Sequence, residues 1–270
     1  MPPWLPSFPL FLGLALFAAG GEAPPTARLS AHVRAHPDGR APHSLDLSLL
    51  RGGPHPELPI GVFDSGIGGL TVMEALLSLD AVDNRTLRPG PDGLPDLAGE
   101  RFIYLGDQAN MPYGNYPAAG KEGYLRELIL KDAIFLLGRR HRRAPGAKPT
   151  FGKPPVKALV IACNTATAYG LEDIRTALKE WGIDIPVIGV VEAGAEAVAE
   201  RLPSDGSRSV GVMATVGTCA SGAYPAAIAK AAARAGKPVP FVLQRGSVGL
   251  AAAIEGNPGF VGAGPGTYQG

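Results

Sequence analysis

The chain has 270 residues, 46% of them hydrophobic, enough apolar material to bury a sizeable core in one large or two smaller domains. Its 25 basic and 24 acidic side chains leave a formal net charge of +1, so no field gathers nucleic acid or an acidic membrane surface, and the expected ligand is a small molecule. The only cysteines, Cys163 and Cys219, form no CxxC pair or Cys/His cluster, which argues against a zinc site or a disulfide framework and leaves the thiols free for chemistry.

In chain order, Phe8 to Ala19 is an apolar run followed by small residues, and residues 1–22 read as a signal peptide too short to span as a membrane helix. No Lys or Arg precedes Arg28, so the usual basic flank is missing, and a mis-chosen start codon is the alternative. Residues 23–58, rich in Pro, Gly, His and Arg without a sustained period, read as a linker, with folded material expected from Pro59 onward.

Beyond Pro59, short apolar or β-branched runs alternate with helical patterns, which predicts an α/β fold of parallel sheets with flanking helices. Strands are predicted at Ile60–Phe63, Phe102–Leu105, Ala158–Ala162, Val187–Val190, Val210–Met213 and Val239–Leu243. Helices are predicted at Thr71–Leu79, Lys121–Leu137, Thr167–Trp181, Ala193–Arg201, Ala220–Ala235 and Val248–Glu255. Two stretches, 82–100 and 139–155, have the composition of surface loops; the second opens RRHRR, a basic cluster read as solvated rather than as a nucleic-acid site.

In an open α/β sheet, ligands bind beyond the carboxyl ends of the strands, and three such corners carry chemistry-bearing residues. Asp64-Ser65-Gly66 follows the first strand and opens a helix, either as an ordinary capped turn or as an acid placed to orient a thiol or an ammonium. Asp107 follows the second strand, and Pro112-Tyr113-Gly114 then offers a hydroxyl and backbone N–H groups on a stiff turn. The third strand runs into Cys163-Asn164-Thr165 at the start of a helix, where the helix terminus is expected to lower the thiol pKa. All five histidines lie in the N-terminal region or the basic loop, so a Cys–His hydrolase does not fit. A thiolate abstracting a proton next to a carboxylate does.

Five segments in order, GVFDSGIGGLTV, GDQANMPYGNY, VIACNTATA, IPVIGVVEAGA and GVMATVGTCASGAY, resemble the motifs of glutamate racemase, in the aspartate/glutamate racemase superfamily. The resemblance spans about Pro59 to Gly256. It implies two flavodoxin-like α/β domains facing each other, here over residues 59–184 and 185–270, the second incomplete. It further implies a site without cofactor or metal, a glutamate substrate and a homodimer. By the same resemblance Cys163 is one acid/base, assisted by Asp64. Ser65, Pro112, Tyr113, Gly114, Asn164, Thr165, Glu192 and Thr218 join Asp64 in holding the substrate. The implied role is supply of D-glutamate for peptidoglycan; aspartate racemase and a binding relative without turnover are the alternatives. The family's second cysteine lies in a later Gly-Cys-Thr-His-Tyr-Pro segment that does not occur here, so the chain is expected to be truncated. Family precedent places the protein in the cytoplasm, the apolar N-terminal run outside it.

Overall fold

The computed structural model describes residues 24–260, except 54, 206, 207, 255 and 257. The signal-peptide reading of residues 1–22 therefore lies outside the described residues.

The described part of residues 23–58 is not the linker that the composition suggests. Helix α1 (Pro25–Ala35) starts with proline at its first turn, where the missing N–H costs nothing, and buries Leu29 and Val33, one turn apart. Asp46 caps the short helix α2 (Leu47–Leu50) by accepting from the Leu49 N–H, and Leu45, Leu47 and Leu50 are buried. Both helices join the main core, held in place where the Trp181 indole donates to the Ser30 carbonyl and Arg51 donates to the Trp181 carbonyl. A few well-spaced leucines outweigh a polar average because burial depends on position, not on composition.

The first sheet holds β1 (Ile60–Asp64), β2 (Phe102–Gly106), β3 (Ala158–Ile161) and β4 (Val187–Gly189), all parallel, in the order β2-β1-β3-β4. This is the flavodoxin-like order, with its topological switch between β1 and β3. Helix α3 (Gly69–Leu77) follows β1, α4 (Glu122–Leu137) follows β2 and α5 (Asn164–Trp181) follows β3. The core lies mainly between the sheet and α4 and α5, with Phe63, Ile129, Ile161 and Trp181 buried. Because β4 pairs with β3, the change of sheet falls at Gly189–Val190 rather than at residue 185.

From Val190 the chain builds a second, smaller unit. Helices α6 (Val190–Arg201) and α8 (Ala223–Arg234) pack together over one face of the two-stranded parallel sheet of β5 (Ser209–Thr215) and β6 (Phe241–Ser247). Gly222, in the left-handed conformation, separates the short α7 (Val216–Ala220) from α8, which begins three residues after the start of the helix predicted at Ala220–Ala235. The final described helix is α9 (Leu250–Ile254). The outer face of the small sheet exposes Met213, Phe241 and Leu243, at 70%, 70% and 64%, whereas parallel strands are ordinarily covered on both faces.

Candidate active site

The switch between β1 and β3 puts the ends of those strands side by side, and so brings together two corners that are nearly a hundred residues apart in sequence. Asp64 ends β1. One of its carboxylate oxygens accepts from the Ser65 N–H at 2.8 Å and the other from the Gly69 N–H at 2.7 Å, so it ties down the turn into α3. Cys163 sits just beyond β3, capping α5, with the Ala166 N–H 3.4 Å from its sulfur. The Ser65 hydroxyl lies 3.3 Å from Cys163 Sγ and joins the two corners.

The thiol is 6% exposed, and its pKa departs from the sequence expectation. Burial pushes the Cys163 thiol above its ordinary value and the adjacent Asp64 carboxylate adds to the rise, while the Ser65 hydroxyl and the Ala166 N–H act in the opposite sense. The helix terminus does favour the thiolate, but desolvation outweighs it. The thiol at rest is an acid holding its proton.

Ser65 and Thr165 line a cavity of about 420 Å³ together with Pro112, Tyr113, Gly114 and Thr215, while Ala251 of α9 closes another side. Cys163 stands behind Ser65. The cavity thus draws walls from both units. A Cβ on Gly217 would fall 2.6 Å from the Gly114 carbonyl oxygen, so the backbone itself permits the close approach of α7 to the Tyr113-Gly114 turn. Thr218, fully buried, holds the seam: its hydroxyl lies 3.0 Å from that of Thr165 and 3.0 Å from that of Thr215. Sequence reasoning missed Thr215, although a threonine at a strand end before a short helix is an N-cap signal, and it accepts from the Thr218 N–H.

Three of the residues singled out from the sequence are held by bonds within the protein. Tyr113 lines the cavity while its hydroxyl lies 2.6 Å from Asp107 and 2.7 Å from Asp132; burial, chiefly, pushes its pKa up. Glu192 makes a two-pronged ion pair with Arg175, at 2.9 and 2.7 Å, which lowers its pKa and holds it off the cavity wall. Asn164 accepts from the Tyr224 hydroxyl at 2.6 Å, linking α5 to α8. Cys219, half buried on α7, is not a wall residue. Among the described residues, no three His, Cys, Asp or Glu side chains gather as a metal site.

Comparison with known proteins bears on this arrangement. The chain is 36% identical over 203 residues to the glutamate racemase of Limosilactobacillus fermentum, covering 73% of this chain and 59% of that protein. The chain is related to the glutamate racemases. It is 38% identical over 170 residues to the Thermus thermophilus enzyme, covering 63% of this chain and 48% of that protein. The Asp/Glu/Hydantoin racemase family matches residues 140–259. A crystal structure of glutamate racemase from Campylobacter jejuni aligns with a TM-score of 0.48 at 27% identity, over 76% of this chain and 63% of that one. The chain spans about half to three fifths of the length of the curated relatives it matches.

Proposed function

We propose that this chain supplies one face of a glutamate racemase site, with Cys163 as the acid/base at the α-carbon. The observation that carries the reading is the pairing of Cys163 with Ser65 at the β1/β3 switch, behind a cavity walled by Thr165, Gly114 and Thr215. A carboxylate in that cavity meets the positive end of α5 and the threonine hydroxyls, which offer the preorganised donors that a carbanion next to a carboxylate requires. An amino-acid ammonium brought near the thiol opposes both influences that keep it protonated, because it favours the negative form. Once the thiol has passed its own proton to solvent, the thiolate takes the α-proton, leaving its electron pair on the substrate carbon, and the same thiol returns a proton to that face. Inversion needs a second acid on the opposite face. Aspartate is the sister substrate, shorter by one methylene. The wider parts of the proposal are chemistry without cofactor or metal, supply of D-glutamate for peptidoglycan, and a homodimer.

The test is incubation of the chain in D2O with L-glutamate, D-glutamate or L-aspartate, following loss of the α-proton by NMR and the chirality of what remains. Exchange of one glutamate enantiomer without inversion, abolished by Cys163→Ala, is the expected result. Exchange with inversion would place a second acid within this chain, and Cys219→Ala would show whether Cys219 is that acid. No exchange with any substrate would sink Cys163 as a base in this chain and leave binding without turnover.

A further inference from the structure

The basic cluster that opens the loop after α4 does not point to solvent as a whole. Arg142 and Arg143 are exposed, but Arg140 turns into a second cavity, of about 310 Å³, away from Cys163. The connection between α1 and α2, the turn after β2 and one side of α4 enclose it, and His43, Ser44, Asn110, Lys131 and Asp132 share its wall. Arg140 Nε is buried with no hydrogen-bond partner among the described residues. A guanidinium N–H left without a partner is costly, and the hollow that Arg140 lines gives its guanidinium room to meet an acceptor.

The charges around the cavity give the sign of that acceptor. The Lys131 ammonium lies 2.6 Å from Glu127, which offsets it and leaves Arg140 as the wall cation without an ion pair among the described residues. Asp132, the one acidic wall residue, is held mostly protonated near neutral pH: burial and the nearby Asp107 raise it to about 8. It does not oppose an anion. His43 lies below its ordinary value through burial and the positive charges of Lys131, His32 and Arg140, and its backbone takes the left-handed conformation, with φ of 52°.

We propose that this cavity binds a small oxyanion through the planar fork of Arg140, with Lys131, whose ammonium keeps protons beyond the one shared with Glu127, as a further donor. The geometry of a guanidinium matches two oxygens of a phosphate or carboxylate at once, which an ammonium cannot do. The volume accommodates a small metabolite rather than a polymer. The proposal does not rest on the racemase reading, and its test involves no turnover.

Thermal unfolding is followed while inorganic phosphate or acetate is titrated in, with ionic strength held constant by chloride. A ligand that binds the native state raises the midpoint in a saturable way. The expected result is saturation with at least one of the two anions and a weakening of at least about tenfold in Arg140→Gln, as loss of a charged hydrogen bond predicts. Arg142→Gln, from the exposed part of the same cluster, leaves the response unchanged. The anion that saturates at lower concentration identifies the class, phosphoryl or carboxylate. Should Arg140→Gln fail to fold, Lys131→Gln must weaken the response. A rise that does not saturate, or one that is equal in every variant, would be a bulk salt effect and would overturn the proposal.

Discussion

Tyr113 carries one hydroxyl proton but lies within hydrogen-bond distance of two carboxyl groups, so it donates to one and must receive from the other. Asp132, raised to about 8 chiefly by burial, holds the extra proton: it donates to Tyr113 Oη, and Tyr113 donates to Asp107. The sign of the resulting pH dependence follows. In the unfolded chain Asp132 loses its proton near about pH 4, while in the folded protein it keeps that proton until about pH 8. Between those values the folded state binds one more proton than the unfolded state, so stability falls as pH rises, by up to about 1.4 kcal/mol per unit. From pH 5 to pH 7 this group alone therefore removes up to about 2.7 kcal/mol. Asp132→Asn keeps the shape and the donor without the titration. Urea unfolding of both proteins at intervals from pH 5 to 8 measures the difference. Near pH 5 the two should be of similar stability, and the variant should gain on the parent steadily as pH rises. A constant difference across the range would mean that Asp132 is ionised throughout, and the proton arrangement around Tyr113 would be wrong.

Alkylation with iodoacetamide, read by mass spectrometry, should label half-buried Cys219 before Cys163; the Cys163 rate should rise with pH beyond the free-thiol range, and more so in Ser65→Ala, which loses a bond favouring the thiolate. Thr218→Val keeps the volume but leaves the Thr165 and Thr215 hydroxyls without their shared partner at a dry seam, and urea unfolding should show a loss of about 1–3 kcal/mol. Gly170→Ala gains up to about 1 kcal/mol of helix propensity, yet its Cβ would lie 2.9 Å from Ile129 Cβ and closer still to a methyl carbon. Overpacking of about 1–3 kcal/mol should win, lowering the urea midpoint.

The sequence by itself determined the α/β class, because apolar runs and helical periods alternate along most of the chain and each period reports a local backbone geometry. It also determined that Asp64 and Cys163 stand at strand ends, since the turn that follows each strand is written in adjacent residues. What it could not carry was anything that depends on neighbours distant in the chain. The helices within residues 25–50 exist because Leu29, Val33 and Leu45 find a core made by α4 and α5. Glu192 is claimed by Arg175, the Tyr113 hydroxyl by two aspartates, and Arg140 is drawn from a basic run into a cavity, all through contacts that no local pattern reveals. The thiol shows the point most clearly. A helix start predicts a lowered pKa from local geometry, whereas the depth of burial that raises it is fixed only when the whole tertiary structure closes around Cys163.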